Sequence, residues 1–296
     1  MARKILITGA SGFVGRHLAQ LLCDQGYEVF GLDQAAPAGL PKGCHLIEVN
    51  LGDPSSLADL PKEWFGVIHL AGASIPSAFS SVAPLVSNLH LTLNLLEHLH
   101  SSRVLLVSSC HVYGPSEHPH KETDPLLPMG RYGLSKHLIE QVASHYQGEL
   151  DIRIVRPFNH LGPGQRPELV IPTLLRNLTS HSADDSMPVL MQGQNSVRDF
   201  IDVQDVVSAY QQVLELEAPE HRLFNVCTGR PCSIEEVVKT ALDLVGSKRA
   251  IAFSARPNSQ DDVQSLVGDP TRLHAIGWKA GVSLGESLSN MLSNLH

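Results

Sequence analysis

The sequence has no long apolar run and few cysteines. No stretch approaches the roughly 18 apolar residues that would suggest a membrane span, so no membrane partner is expected. The five cysteines, at positions 23, 44, 110, 227 and 232, are scattered without a C-x-x-C pair. That pattern indicates neither a disulfide framework nor a zinc site. The absences together favour a protein of the reducing cytoplasm.

Positive charge is also scarce. The 296 residues carry a formal net charge of −8, whereas nonspecific nucleic-acid affinity comes from many Lys and Arg side chains that neutralise phosphates. We therefore expect no nucleic-acid partner, and local arginines would have to bind any anionic substrate. The 16 histidines show no H-E-x-x-H or other metal-ligand spacing, so no metal is expected.

Short β-branched runs alternate with longer segments of helical period in the first half of the chain. Strands are predicted at residues 4–8, 28–33, 45–49, 66–70, 103–108 and 151–155, and helices at 12–25, 82–99 and 132–146. This alternation is typical of βαβ units on a parallel sheet. The prediction is an α/β protein with a Rossmann doubly wound parallel sheet and a smaller α/β C-terminal substrate domain. The apolar run at residues 5–7 is too short for a signal peptide and is interpreted as a strand.

The alternation stops after Arg156, where residues 157–165 form a stretch rich in Gly and Pro. Loops of that length in compact domains are usually functional, so we predict a change of domain there. A helix at 205–216 and a strand at 223–226 would return to the first domain. The dinucleotide-binding domain is therefore predicted at 1–160 plus about 201–228, and the substrate domain at 161–200 and 229–296.

The motif T-G-A-S-G-F-V-G at residues 8–15 follows the first predicted strand and opens the first helix. In that position Gly9 permits a tight turn, Gly12 lets the backbone approach a pyrophosphate, and Gly15 lets the helix pack on the strand. The helix N-terminus adds N–H donors and a favourable dipole. The motif predicts a dinucleotide site formed by Gly9, Ser11, Gly12, Phe13, Val14 and Gly15.

Asp33 ends the second predicted strand, about 20 residues past the glycines, where a carboxylate accepts hydrogen bonds from the adenine ribose hydroxyls. The same charge repels a 2′-phosphate, which favours NAD over NADP. Arg16 lies just beyond Gly15 and offers a phosphate partner, so NADP remains the alternative cofactor.

Tyr132 and Lys136 are four residues apart, which places them on one face of a helix. A positive neighbour favours the phenolate, and this lowers the tyrosine pKa toward neutrality and suits proton transfer. Ser108 and Ser109 end the fifth predicted strand, at the sheet edge where ligands of doubly wound sheets bind. A serine at that edge would hydrogen-bond the reacting oxygen.

These motifs resemble the extended short-chain dehydrogenases/reductases, also called the NAD-dependent epimerase/dehydratase family, over essentially the whole chain. The similar segments are the glycine motif, H-L-A-G at 69–72, Asn88, S-S-x-x-V-Y-G at 108–114, Y-x-x-x-K at 132–136, R-P-F-N at 156–159 and R-D-F-I-D-V at 198–203. The resemblance implies an enzyme that acts on nucleotide sugars and pairs as a homodimer through helices near 82–99 and 132–146.

The resemblance also implies roles for individual residues. Ser109 would be the catalytic hydroxyl, with Ser108 as the fallback, Tyr132 the acid/base, and Lys136 its activator and a nicotinamide-ribose ligand. Further cofactor contacts are expected at Leu51, Leu70, Ala71, Gly72, Asn88, Ser108 and Pro157, and substrate contacts at Ser109, Asn159, Arg198 and Arg256. The aspartate with which the family often reads adenine is replaced by Asn50.

Family dehydratases carry Asp-Glu after the catalytic Thr, where this chain has Cys110 and His111, so a reductase or an epimerase is expected. Segments 156–165, 225–229 and 267–273 look most like GDP-6-deoxy-4-keto-mannose reductases, which favours reduction of the ketone at carbon 4. The alternative is an NAD-retaining carbon 4 epimerase of a UDP-sugar. Two remoter hypotheses are an acid/base pair of Cys110 with His111 or His160, and a dinucleotide sensor without catalysis.

Overall fold

The computed structural model describes residues 3–34, 39–179, 188–192, 196–254 and 265–295. The chain divides into two compact units: the first comprises Met1–Gly114, Glu122–Pro157 and Val207–Val226, and the second Pro115–Lys121, Phe158–Val206 and Cys227–His296. The predicted domain limits stay a prediction, because compactness alone does not test whether either part folds by itself.

The described residues form strands and helices over most of their length. The strands are β1 Lys4–Thr8, β2 Glu28–Asp33, β3 Cys44–Glu48, β4 Gly66–His69, β5 Arg103–Val107, β6 Asp151–Pro157, β7 Asn159–Leu161, β8 Val189–Gln192, β9 Val197–Arg198, β10 Phe200–Asp202, β11 Leu223–Val226, β12 Cys232–Ser233, β13 Ile251–Ser254 and β14 Ser265–Leu266. The helices are α1 Phe13–Asp24, α2 Ala83–His98, α3 Gly130–Ser144, α4 Val170–Thr179, α5 Val203–Glu215, α6 Ile234–Val245, α7 Thr271–Ala275 and α8 Leu284–Ser293.

The first unit is built on a seven-stranded sheet in the order β11-β6-β5-β4-β1-β2-β3, with every pair parallel. Its central strands β4 and β5 are mostly apolar and almost entirely buried, because helices cover parallel sheets on both faces. The core joins these strands to α2 and α3 through side chains such as Val67, Leu95 and Ile139. The predicted doubly wound parallel sheet is confirmed.

Most predicted limits lie within one or two residues of the observed ones, and two differences bear on the site. Helix α3 begins at Gly130 rather than at residue 132, so Tyr132 belongs to its first turn. The segment 157–165, predicted as a loop, contains strand β7, which pairs in parallel with β10. Three residues of β-ladder are too short to leave a periodic pattern, and this is why the sequence did not reveal them.

The second unit has three small sheets, β10-β7, β12-β9-β14 and β13-β8, packed with helices α4, α6 and α8. Its core is formed by buried apolar side chains such as Leu174, Val238 and Leu288. Asp199 joins three loops of this unit, since its carboxylate accepts hydrogen bonds from the backbone N–H groups of Thr228, Gly229 and Gly268.

Across the described ranges, none of the helices has both the length and the apolar character that a bilayer crossing requires.

Candidate active site

The carboxyl ends of the first unit's strands bring the predicted cofactor and catalytic residues to one sheet edge. Strand β1 lies between β2 and β4. The chain runs from β1 through β2 to β3 on one side, and then returns to β4 and continues through β5 to β6 on the other side. This is the topological switch point at which open α/β sheets bind ligands. The loops that follow β1 and β4 and the serines that follow β5 all lie at this edge.

The turn after β1 is shaped by glycine. Gly9 has φ +70°, and a Cβ there would lie 2.9 Å from the backbone nitrogen of Ala71. A Cβ on Gly15 would lie 2.4 Å from the carbonyl oxygen of Gly9, so α1 packs on the turn itself rather than on the strand, where we expected its contact. Gly12 is the N-cap of α1 and supplies no side-chain cap. The N–H groups in the first turn of a helix have no acceptor within the helix. Those of α1 therefore fit a dinucleotide pyrophosphate bound at the glycine turn.

Asp33 contacts this same turn. Its Oδ2 accepts a hydrogen bond from the backbone N–H of Ser11 at 3.2 Å and another from the Ser11 hydroxyl. Arg16 donates from Nη1 to the carbonyl oxygen of Ser11 at 3.0 Å. Asp33, which favours NAD, and Arg16, which offers a partner for the phosphate of NADP, thus both contact Ser11 in the glycine turn.

Asn50 and Leu51, which follow β3, differ in their exposure and in their contacts. Asn50 is exposed, and its Oδ1 accepts hydrogen bonds from the Gly52 N–H at 3.0 Å and from Gln34 Nε2 at 3.1 Å. Leu51 is buried, and its carbonyl oxygen accepts a hydrogen bond from Asn94 on α2. The Asn50 side chain therefore stabilises its own turn.

His69 fixes the spacing between β1 and β4 at this edge. Its Nδ1 lies 2.8 Å from Thr8 Oγ1, and its Nε2 lies 3.0 Å from Thr92 Oγ1. Burial lowers the pKa of His69 to about 3, so the imidazole is neutral. Thr8 Oγ1 also accepts from the backbone N–H of Ala71 at 3.2 Å, and Leu70 donates to the carbonyl oxygen of Thr8 at 3.1 Å. This network holds the H-L-A-G segment against the glycine turn.

Asn88 holds the next part of that loop. Its side chain accepts from the Ala73 N–H at 2.8 Å and donates to the Ala73 carbonyl at 2.9 Å. It also donates to Ser135 Oγ on α3 at 3.2 Å. The Asn88 amide lies so close to Gly72 that a Cβ there would be 2.7 Å from its Oδ1. Asn88 thus joins the loop after β4 to the helix that carries Tyr132.

The predicted catalytic side chains meet beside the end of β5. Burial raises the pKa of Tyr132 to about 12, where the sequence predicted a lowered value, and the neighbouring Ser109 side chain opposes that rise. One turn along α3, Lys136 is buried and donates from Nζ to the Val107 carbonyl at 2.9 Å. Burial lowers the pKa of Lys136 to about 8, and the nearby Glu140 charge opposes that shift. The ammonium is therefore retained at neutral pH.

A buried ion pair that we did not predict lies under this site. Arg156 donates from Nε and Nη2 to the two carboxylate oxygens of Glu140, at 2.9 and 2.6 Å. Ser108 donates its hydroxyl to the same carboxylate. No spacing in the sequence indicated it, because Glu140 lies on α3 and Arg156 on β6. Because Ser108 faces this pair, Ser109 is the serine that contacts Tyr132.

Cys110 and His111 form the short helical turn that follows Ser109. The Cys110 sulfur lies 3.7 Å from His111 Nδ1, and Cys110 is buried. His160, the other suggested partner, lies in the second unit, and its Nδ1 is 3.0 Å from the Phe158 carbonyl. Burial lowers the pKa of His160.

The predicted substrate residues beyond Ser109 belong to the second unit. The buried Asn159 Oδ1 has no hydrogen-bond partner among the described residues. Arg198 is half-buried on β9, and its Nη1 donates to the Val197 carbonyl at 2.9 Å. Arg256 lies outside the described residues. Pro157, a predicted cofactor contact, ends β6 in the first unit and is opposite Val226 of β11. In the part of the chain that can be described, no cluster of three or more His, Cys, Asp or Glu forms a metal site.

Comparison with known proteins gives the family. Residues 5–227 match the model of the NAD dependent epimerase/dehydratase family. The chain is 33% identical to GDP-6-deoxy-D-mannose reductase of Pseudomonas aeruginosa, over 99% of this chain and 97% of that protein. It is similar to the structure of RMD from Pseudomonas aeruginosa with NADPH, at 31% identity and a TM-score of 0.83, over 99% of both chains.

A third relative is a UDP-glucose 4-epimerase of Thermus thermophilus in complex with NAD, at 26% identity and a TM-score of 0.84, over 99% of this chain and 98% of that one. The predictions of the family, of an NAD(P)-dependent enzyme and of a nicotinamide dinucleotide cofactor are confirmed. The chain belongs to the NAD dependent epimerase/dehydratase family.

Proposed function

We propose that this protein reduces the ketone at carbon 4 of a GDP-linked 4-keto-6-deoxy sugar. The observation that carries the proposal is the grouping of Ser109, Tyr132 and the buried Lys136 beside the carboxyl end of β5. The similarity to GDP-6-deoxy-D-mannose reductase over nearly the full length of both chains supports the choice of substrate class.

The roles proposed for the chain's own residues follow from their contacts. Tyr132 gives its proton to the carbonyl oxygen, and its raised pKa keeps it protonated until the oxygen becomes basic. Ser109 holds that oxygen by a second hydrogen bond. Lys136, held at the Val107 carbonyl, keeps a positive charge near the phenolate that forms.

The dinucleotide would be held by the glycine turn, with Asp33 and Ser11 toward the adenine ribose and with Lys136 toward the nicotinamide ribose. When bound, it supplies the hydride that reduces carbon 4. The remaining cofactor contacts proposed are Phe13, Val14, Leu51, Leu70, Ala71, Gly72, Asn88, Ser108 and Pro157, which surround or follow the ends of β1, β3, β4, β5 and β6.

Asn159, Arg198 and Arg256 are proposed to bind the substrate nucleotide. Asn159 supports this role because a buried amide oxygen without a partner costs stability unless a ligand satisfies it. Arg198 would bind the diphosphate, since a guanidinium matches phosphate geometry by bidentate hydrogen bonds, and Arg256 is proposed for the same role. Arg198→Ala is expected to raise KM for the sugar nucleotide without changing the affinity for NAD(P)H.

The test is whether the purified protein consumes NADH or NADPH when given GDP-6-deoxy-4-keto-mannose. We expect consumption with one of the two cofactors and none with Tyr132→Phe, whose affinity for the cofactor should be unchanged. Asp33 supports NADH, whereas the RMD structure with NADPH supports NADPH, and comparing Kd for both cofactors decides between them. No consumption by the unmodified protein would contradict the proposal.

An NAD-retaining carbon 4 epimerase of a UDP-sugar is the second candidate. It is favoured by the similarity to the Thermus thermophilus UDP-glucose 4-epimerase with NAD. An epimerase would copurify with NAD and interconvert UDP-glucose and UDP-galactose without net change of cofactor absorbance. A pure sensor, in contrast, would bind the dinucleotide, and Tyr132→Phe would change neither this binding nor any turnover.

Two further parts of the proposal concern the whole protein. We propose a homodimer through α2 and α3, supported by exposed apolar side chains on both helices, Val86 and Leu134. An open groove of about 470 Å³ includes Val86 and is lined by Gly52, Ala83, Val86, Ser87, His90 and Leu91. The cytoplasmic location stays a prediction from the scattered cysteines.

A further inference from the structure

His111 contacts both hydroxyl-bearing residues of the proposed catalytic group. Its Nδ1 lies 3.2 Å from Ser109 Oγ. Its ring stands edge-on to Tyr132, with 5.3 Å between ring centroids and 70° between planes. The Ser109 side chain also acts on the Tyr132 hydroxyl, since it opposes the rise in the pKa of Tyr132, so the phenol, the serine and the imidazole form one interacting group.

The backbone fixes His111 in this position. Its carbonyl oxygen accepts a hydrogen bond from the Met129 N–H at 2.8 Å. A Cβ on Gly133 would lie 2.2 Å from the same oxygen, so α3 and the turn of His111 fit together only because that residue is glycine. The His111 N–H donates to Ser109 Oγ at 3.2 Å, which leaves the serine hydroxyl proton available for the imidazole or for Tyr132.

Each reduction consumes one proton, which must be replaced from solvent. Tyr132 begins protonated and ends as a phenolate that must regain a proton before the next turnover. Lys136 is buried and donates to the Val107 carbonyl. His111 is half-buried and therefore reaches solvent, and imidazole is the side chain whose unperturbed pKa lies closest to neutrality.

We propose that His111 returns the proton to Tyr132 through Ser109 after each reduction. A proton from water adds to the imidazole. The Nδ1–H proton then passes to Ser109 Oγ while the Ser109 hydroxyl proton passes to the Tyr132 oxygen, so the phenol is restored and one solvent proton is consumed per ketone. The role rests on the proposed function, because an epimerase returns to the substrate the proton that it took and needs no such supply.

Among the contacts described for His111, the titratable groups belong to its own turn and to α3. Cys110 of its own turn lies 3.7 Å from Nδ1, and Tyr132 of α3 faces the ring. Helix α3 also carries Lys136 and Glu140, the latter paired with Arg156. Arg131 of the same helix donates to the carbonyl oxygens of Phe79 and Ser80.

The experiment is stopped-flow oxidation of the preferred reduced cofactor with saturating GDP-6-deoxy-4-keto-mannose, comparing His111→Asn with the unmodified protein. Asparagine can hydrogen-bond Ser109 but cannot carry a proton. The first turnover uses the proton already on Tyr132, so we expect its rate to stay within about threefold, while later turnovers slow on the order of 10- to 100-fold. Imidazole in the buffer should restore later turnovers of His111→Ala. His118→Asn, which alters an exposed histidine, is the control and should match the unmodified protein.

Two results would overturn the role of His111 alone: steady-state turnover equal to that of the unmodified protein, or a first turnover slowed as much as the later ones. The second would mean that His111 only shapes the site. If the unmodified protein consumes no cofactor, the proposed function and the proton path both fail.

Discussion

At the residue scale, the two neighbouring serines differ in what they touch. Ser109 contacts Tyr132 and His111, whereas Ser108 donates to the buried Glu140 carboxylate. The sequence favoured Ser109 by its spacing from Tyr113, but it left Ser108 as an alternative. Only the position of Glu140, set by the packing of α3 on the sheet, distinguishes a hydroxyl that faces the reacting group from one that faces an ion pair.

Alanine at each serine should separate the two roles. Ser109→Ala is expected to lower kcat on the order of 10²-fold, because the reacting oxygen loses a hydrogen bond, with little change in Tm. Ser108→Ala should instead lower the free energy of unfolding by about 1.5–3 kcal/mol, the usual worth of a hydrogen bond to a charged group. Steady-state kinetics and urea unfolding of both variants measure this, and equal kinetic losses would contradict it.

The neutral His69 makes stability depend on pH. Its folded pKa, about 3, lies below the unperturbed value of about 6.5, so the unfolded chain binds the extra proton. The stabilisation is full above about pH 6.5 and falls by about 1.4 kcal/mol per pH unit below it. Urea unfolding from pH 7 to 5 should show this slope in the free energy of unfolding. His69→Gln should reduce the slope by about 1.4 kcal/mol per pH unit, which corresponds to one proton. An unchanged slope in that variant would refute the assignment.

At the element scale, the order of strands and helices was largely predictable, because the period of apolar residues changes between β and α segments. Strand β11 was predicted at its observed limits. The start of α3 and strand β7 were not predicted at their observed limits. Helix α3 begins at Gly130, which has φ +59°, and β7 depends on its partner strand β10, which is distant in sequence. Local pattern does not encode such tertiary contacts.

The glycine turn offers a test of how closely α1 must approach it. Gly15→Ala places a methyl group against the backbone of Gly9 and Ala10, so α1 must move away and the N–H cradle must open. We expect affinity for the reduced cofactor to fall at least about tenfold, or 1.4 kcal/mol.

Gly148→Ala is the matched control, because nothing lies within 4 Å of the added Cβ. Fluorescence titration of both variants with NADH and NADPH gives the affinities, and thermal unfolding shows that each is folded. Unchanged binding in Gly15→Ala would mean that the turn does not hold the pyrophosphate.

At the scale of the whole molecule, the proposed homodimer depends on apolar side chains that the monomer leaves exposed. Val86 of α2 is 41% exposed beside the groove. Only the structure shows which side chains of α2 point outward.

Val86→Glu should convert the dimer to a monomer in sedimentation experiments, because burying an unpaired carboxylate in an interface is strongly unfavourable. Val170→Glu, at a site on α4 that is 57% exposed, should leave the dimer intact. A monomeric unmodified protein would refute the proposed assembly.

The path of the chain between its two units has a consequence for synthesis on the ribosome. The chain passes from one unit to the other after Gly114, Lys121, Pro157, Val206 and Val226. The edge strand β11 therefore emerges only after a long part of the second unit has been translated. A nascent chain that stops before it must keep the edge of β6 unpaired, with its row of backbone donors and acceptors open to other chains. Between translation of β6 and of β11, the sheet of the first unit therefore ends in an unpaired β6.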